Sequence, residues 1–330
     1  MFKVEDKGFH IQLVDTGRRF CQMSGYTQSG AMDWVSYSLA NALVDNPLDC
    51  YHDKPSHVAL ECIGSIQLRA GYEAILSVCG AAESVYVDET EHAVNTPLVI
   101  KQGQRLRVSP SQMGMRLYIA FYGGIKAPRF FGSSCDVSKE KTGGLFEQGA
   151  GLRKGDAFDL ISKLDLAITN KWQKQRSAHL EKMTHRVNQY LAQTNVFSRE
   201  IPCILSYQDS LFSVAQKSMF FGSEYTVTPQ NGRMGIRLSG SPLHYKNKSL
   251  LSEGISNGSI QVAGDGMPMV LMADRQTIGG YPKIGVAGGY GLARLGQLKT
   301  GDKISFIPSD IESCRQQYLM SHQLLGQFWH

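Results

Sequence analysis

Short apolar runs separated by glycine and polar turns dominate the hydrophobic pattern of this chain, and such runs predict strands. In the first half they are Val58 to Leu68, Ala74 to Val78, Leu98 to Val108 and Arg116 to Phe121. In the second half they are Tyr225 to Thr228, Ser259 to Ala263, Met269 to Ala273 and Lys303 to Ile307. Two stretches carry helical spacing instead. Met32, Val35, Leu39 and Leu43 repeat on one face, with Ser29 placed to cap the helix, Asp33 in its first turn and Asn46-Pro47 to stop it. Trp172, Leu180, Met183, Val187 and Leu191 mark a second helix over about Lys171 to Gln193.

The two halves echo each other. Gly64-Ser65-Ile66-Gln67 recurs as Gly258-Ser259-Ile260-Gln261, and the same offset of 194 lays Ile75 to Cys79 on Met269 to Ala273. Gly103 and Gly301 correspond approximately as well. Together these matches favour a duplicated β unit, with residues 1–162 as a first lobe, 163–200 as a helical connector and 201–330 as a second lobe. A length of 330 residues independently suits two cores rather than one. The 34 glycines suit a chain with many tight turns.

Charge adds little to this picture. The net charge of +5 is accounted for by the connector, where seven basic residues face only Asp165 and Glu181. A local basic segment without a nucleic-acid motif reads as a solvated connector, so nucleic acid is not an expected partner, and with no stretch approaching the roughly 18 apolar residues of a membrane span neither is a membrane. The seven cysteines are scattered and form no C-x-x-C pair, which points to reduced thiols and a cytoplasmic protein without a metal site. His52 with His57 and His179 with His185 are spaced five and six apart, which puts neither pair on one face.

Several chemistries lack their signatures. There is no G-x-x-x-x-G-K-[ST] loop, and Gly289-Tyr290-Gly291 lacks the third glycine of a dinucleotide fingerprint. Neither G-x-S-x-G nor H-E-x-x-H occurs. The densest polar constellation is instead Asp274-Arg275-Gln276-Thr277-Ile278-Gly279-Gly280-Tyr281-Pro282-Lys283, delivered at the end of an apolar strand. Arginine suits carboxylate or phosphate and glutamine can grip an amide, while paired glycines let backbone approach a ligand. Arg233 and Arg237 in Asn231 to Leu238, and Glu253 in Ser252-Glu253-Gly254, lie just upstream. A structural ion pair of Asp274 with Arg275, closing a turn, is the plain alternative.

The segments RMGIRLSG, SEGISNGSIQV, DRQTIGGYPKIG and LKTGDKISF, with SGAMDWVSYSLANALVDN, LEC, YIAFYGGIKAPRFFGSS and RKGDAFDL before them, carry a resemblance. The chain resembles the biotin-dependent carboxyltransferase family, which includes allophanate hydrolase subunit 2, the KipA regulators and the C subunit of 5-oxoprolinase. The resemblance implies an all-β fold of two tandem cyclophilin-like β-barrel lobes, mainly β with a few helices. It implies catalytic roles for Asp274, Arg275, Gln276 and Glu253. Substrate-binding roles fall to Arg233, Arg237, Thr277, Gly279, Gly280, Tyr281 and Lys283, and in the first lobe to Asp15 and Arg18. There the family's V-Q-D is replaced by Leu13-Val14-Asp15, and an S-R-S-T run by Ser133 to Asp136; the G-P-Q opening of the second lobe is replaced near Leu205-Ser206-Tyr207-Gln208.

The activity expected from this resemblance is that of one component of an ATP-dependent 5-oxoprolinase, which opens the lactam of 5-oxoproline to glutamate. The expected partners are a chain like KipI or the 5-oxoprolinase B subunit, and a chain like the 5-oxoprolinase A subunit, with a small-molecule amide as substrate. ATP is the expected co-substrate, bound with a partner because this chain lacks a phosphate loop. Carboxyl transfer from carboxybiotin to urea is the alternative and needs a separate carrier, since the chain has no biotinyl-lysine motif. A non-catalytic KipA-like binding role is the third reading.

Overall fold

The computed structural model describes residues 1–47, 56–164, 166–246 and 250–326, which leaves Cys50 and His52 outside the described residues. The chain divides into two compact units. One comprises Met1–Arg19, Trp34–Thr194 and Ser321–His330, the other Phe20–Asp33 and Asn195–Met320. The long helix therefore groups with the first unit, and the early segment Phe20–Asp33 with the second.

The first unit holds β1 (Phe2–Asp6), β2 (His10–Val14), α1 (Trp34–Leu43), β3 (Ala59–Ile63), β4 (Ile66–Arg69), β5 (Ala74–Gly80), β6 (Ala82–Val87), β7 (Thr90–His92), β8 (Pro97–Ile100), β9 (Arg105–Pro110), β10 (Leu117–Phe121), β11 (Ala157–Phe158) and α2 (Leu166–Thr194). Its strands form a six-stranded sheet, β11-β1-β4-β9-β6-β7, and a five-stranded sheet, β2-β3-β10-β5-β8. Alternating residues of both, among them Phe2, Val4, Leu68, Leu76, Leu106 and Ile119, bury one shared apolar core.

The second unit holds β12 (Glu200–Leu205), α3 (Val214–Gly222), β13 (Glu224–Asn231), β14 (Gly235–Ser239), β15 (Glu253–Gly254), β16 (Ser259–Val262), β17 (Pro268–Leu271), β18 (Ile278–Gly279), β19 (Lys283–Ala287), α4 (Gly291–Gly296) and β20 (Lys303–Pro308). Helix α5 follows at Ile311–Leu325. Seven strands close into a barrel in the order β12-β19-β16-β17-β14-β13-β20, and β15 pairs with β18 as a separate two-stranded ribbon. Closure is made by β12, antiparallel to β19 and parallel to β20. The expected class, mainly β with a few helices, is the class observed.

Three local expectations need correction. The first helix begins at Trp34, not near Ser29, which has φ +59 and accepts a hydrogen bond from Arg233 instead of capping. Met32 accordingly packs in the core of the second unit rather than on the helix face. The runs Val58 to Leu68 and Leu98 to Val108 are each two strands, broken at Gly64 (φ +89) and Gly103 (φ +84), where a left-handed turn sends the chain into the other sheet. The offset of 194 holds only locally: Gly64 and Gly258 both turn left-handed ahead of a strand, with φ +89 and +85. Beyond it, β17 pairs directly with β16, whereas β5 lies in the sheet opposite β4. The turns at Gly103 and Gly301 match more closely. Each amide donates back to a strand, at Ala70 and Val227, and each turn leads into β9 or β20, antiparallel to β4 or β13.

The helix over Lys171 to Gln193 is present within α2, and its Trp172, Met183 and Val187 are buried as its spacing requires. In the first unit a buried polar row crosses three strands. Glu61, 2% exposed, accepts from Gln12 Nε2 at 2.8 Å and Tyr118 Oη at 2.7 Å and pairs with Arg116 at 3.4 Å. Removing the carboxylate takes an anionic partner from a buried guanidinium and the acceptor from Gln12 and Tyr118. Glu61→Ala should therefore lower stability by about 3–5 kcal/mol in urea unfolding, and a loss below about 1 kcal/mol would show the pair to be dispensable.

Candidate functional site on the outer wall of the barrel

Strand alternation places the site. Ile260, Val262 and Ile284 enter the barrel core, so Gln261 and Lys283 between them project from the outer wall. They are cross-strand partners in the β16–β19 pair, just past an irregularity in its register. Both are nonetheless buried, at 0% and 3% exposure. Beside them the ribbon pairs Glu253 with Gly279 and Gly254 with Ile278. A Cβ on Gly279 would stand 2.6 Å from Ile255 Cδ1 and 3.1 Å from Gln261 Nε2, so only glycine allows this approach.

A charged cluster fills one side of this region. Lys283 Nζ donates to Glu253 Oε1 at 2.5 Å, and Gln208 Nε2 donates to the same oxygen at 2.5 Å. Gln208 Oε1 in turn accepts the backbone N–H of Lys283 at 2.8 Å, and the Ser206 hydroxyl donates to the Lys283 carbonyl. The Lys283 ammonium also lies 5.7 Å from the ring centroid of the exposed Tyr207. Hydrogen bonding from Lys283, then from Tyr207, holds the Glu253 carboxyl below the usual carboxylate range. The bond to Glu253 raises the Tyr207 phenol.

The polar strand end is divided in two. Arg233 grips Asp274 bidentately, Nε to Oδ2 at 2.8 Å and Nη2 to Oδ1 at 3.0 Å, and also donates to Ser29 Oγ and Gly30 O. The ion pair of this turn is thus Asp274 with Arg233, not with Arg275. Arg275 turns inward, donating from Nε to Ile255 O at 3.0 Å and from Nη2 to Gln28 Oε1 at 3.3 Å, while its carbonyl accepts the Thr27 hydroxyl. Burial lowers its guanidinium to about 10, so it remains charged at neutral pH. These contacts bind the segment around Thr27 to Gly30 to the barrel. Gln276, Thr277 and Tyr281 keep part of their surface in solvent, as do Gly279 and Gly280.

The remaining expected residues lie elsewhere. Arg237 on β14 forms a surface pair with Asp265. Asp15 and Arg18 belong to the first unit. Buried Asp15 accepts from Ser133 Oγ at 2.7 Å and from the Ser134 N–H at 2.7 Å, while Arg18 Nη1 pairs with Glu140 at 2.5 Å and its guanidinium covers Phe130. Both hold loops together. Gln208 was visible in the sequence only as part of a departure from the family pattern, and Gln261 only as a repeat letter. The six described cysteines are free and buried, and no helix among the described residues is long and apolar enough to cross a membrane.

The glycine stretch before α4 does not fit a phosphate. A Cβ on Gly289 would stand 2.1 Å from Gln317 Oε1, and the Tyr290 N–H donates to that same oxygen, so a side chain of the unit occupies the turn. Helix α4 itself is only six residues long.

A mainly β chain with a closed barrel, bearing a buried lysine paired with a partly exposed Glu–Gln pair beside a glycine-rich strand end, is the class of protein defined here. The chain belongs to the family described as carboxyltransferase domain, subdomain A and B, whose model matches residues 24–308. It is similar to the 5-oxoprolinase C subunit of Escherichia coli strain K12, at 30% identity over 94% of this chain and 92% of that protein. It is also similar to urea amidolyase of Saccharomyces cerevisiae, at 26% identity over 93% of this chain but only 16% of that protein. Among solved structures, Kluyveromyces lactis urea carboxylase shares the fold at a TM-score of 0.83 and 22% identity, over 99% of this chain and 29% of that one.

The depressed Glu253 carboxyl sets a pH dependence. A lowered folded-state value means that its stabilisation is fully present above the unfolded value of about 4.3 and is lost as pH falls through the folded value. The stability difference between the native chain and Glu253→Gln should hold steady from about pH 5 to 8 and shrink below about pH 4. Unfolding series across that range provide the check, and a difference that grows on acidification would contradict the assignment.

Proposed function

We propose that this chain is the C-type component of an ATP-dependent 5-oxoprolinase, acting in the cytoplasm on the cyclic amide of 5-oxoproline together with A-like and B-like partners. The observation that carries this reading is the 30% identity to the E. coli protein over 92% of its length. The site chemistry supports it. Opening the lactam adds water across its C–N bond and yields glutamate, so the pocket must hold a neutral planar amide and a carboxylate together. Carboxamides at Gln208, Gln261 and Gln276 match the first need, and the Lys283 ammonium the second. In this proposal Arg233, Asp274 and Arg275 shape the strand end, while Gln276, Thr277, Tyr281 and Lys283 face the substrate. Because the glycine turn at Gly289 is filled by Gln317, ATP and the coupling to its hydrolysis are assigned to the partners.

Carboxyl transfer to urea or a related amide is the second reading, supported by the 26% identity to urea amidolyase. It would require a biotinylated carrier supplied by another chain or domain.

Co-purification with the A-like and B-like partners should give 5-oxoproline-dependent ATP hydrolysis and glutamate release, whereas the isolated chain should give neither. In that complex Gln276→Ala should reduce turnover about tenfold or more, equivalent to roughly 1.4 kcal/mol, with an unchanged melting temperature. Arg275→Ala should instead lower the melting temperature, because the buried carbonyls of Ile255 and Met272 and the part-buried Gln28 Oε1 lose their donor. Turnover of urea and bicarbonate with a biotin carrier, but not of 5-oxoproline, would favour the second reading.

A further inference from the structure

Gln261 carries an unexplained acceptor. Its side chain is fully buried on the outer barrel wall, and its Nε2 donates to Tyr281 O at 3.4 Å. Its Oε1 accepts no hydrogen bond from the described residues. Exchanging the two ends of the amide does not help, since the oxygen would then face the Tyr281 carbonyl and the NH2 would be left over. A buried carbonyl without a donor is destabilising, and each such group in a folded protein calls for an explanation, of which a functional role is one.

The surroundings say what that ligand would offer. The missing partner is a hydrogen-bond donor, because only an acceptor is left open, and the N–H of a cyclic amide is such a donor. On the neighbouring strand Lys283 is the direct cross-strand partner of Gln261, and its ammonium has three donors, of which Glu253 takes one. A Cβ at Gly279 would stand 3.1 Å from the Gln261 amide nitrogen, so the ribbon packs its bare backbone directly on Gln261, and a ligand reaches Oε1 only when the ribbon moves away. The ribbon that carries Gly279 is held to its partner by two residue pairs, Glu253 with Gly279 and Gly254 with Ile278. A Cβ on Gly254 would meet nothing within 4 Å.

We propose that Gln261 is a substrate-binding residue, its Oε1 accepting the N–H of a planar secondary amide whose carboxylate is held by Lys283, with the β15–β18 ribbon parting from the barrel wall to admit it. This inference rests on the reading of the substrate as a cyclic amide acid. It explains selectivity: a site with a buried acceptor rejects a ligand that lacks the N–H, because the acceptor then stays unpaired.

The test uses the assembled complex and two substrates, 5-oxoproline and N-methyl-5-oxoproline, which differ by the proposed donor. The native complex should prefer 5-oxoproline by at least a hundredfold in kcat/KM. Gln261→Leu should raise KM for 5-oxoproline at least tenfold and shrink that preference to within a fewfold, without lowering the melting temperature, since it removes an unsatisfied polar atom. Gln261→Met, with a similar length, repeats the measurement if the leucine variant folds poorly. Native turnover with an unchanged KM and preference in both variants would overturn the assignment while leaving the 5-oxoprolinase reading intact. A native complex that does not act on 5-oxoproline would overturn that reading, and this subsite with it.

Discussion

The Lys283 ammonium is withdrawn from water on the outside of a closed barrel, at 3% residue exposure, and much of the second unit answers to that placement. A buried charge costs several kcal/mol unless it is paired and hydrogen-bonded. Glu253 supplies the pair, and the strand that carries Glu253 is in turn held by its pairing with Gly279. Gln208 then bridges the carboxylate and the Lys283 backbone, tying in the segment that follows β12. Three stretches distant in sequence are thereby drawn to one point by a single side chain.

A second ionic constraint acts nearby and does different work. Arg233 is matched bidentately with Asp274 and also donates to Ser29 and Gly30, so it secures an early segment of the chain against the barrel. Arg275 does the same through backbone carbonyls and Gln28. The polar residues of the DRQTIGGYPK strand end therefore divide by direction. Those at its start face inward and set the backbone, whereas Gln276, Thr277 and Tyr281 remain partly open to solvent.

The sequence aligns with 92% of a 5-oxoprolinase component and with 16% of a urea amidolyase. Both relatives are named for small planar amides, and the function proposed above places such a substrate at the outer-wall cluster of carboxamides and one ammonium. In that proposal the pattern of N–H donors and the presence of a carboxylate are read by Gln261 and Lys283, which stand side by side.

Period-two apolar runs, glycine turns and the family motifs by themselves determined a mainly β chain, half of the strands among the described residues, the long helix and the strand end near which Glu253 and Lys283 meet. Those features are local: alternation and turn chemistry act over a few residues and leave their mark in order along the chain. Tertiary structure alone decided the rest. That Ser29 would be an acceptor for Arg233 and not a helix cap, and that Asp274 would pair with Arg233 and not with its neighbour Arg275, depends on groups 204 and 41 residues away. The strand β5 joined the sheet opposite β4 although its apolar run resembles that of β17, because hydrogen-bond partners are chosen by how the sheets close and not by hydrophobicity. Gln261 looked like a repeated letter until the barrel turned it outward and the ribbon buried it, since burial of an outward-facing side chain is a property of what folds over it.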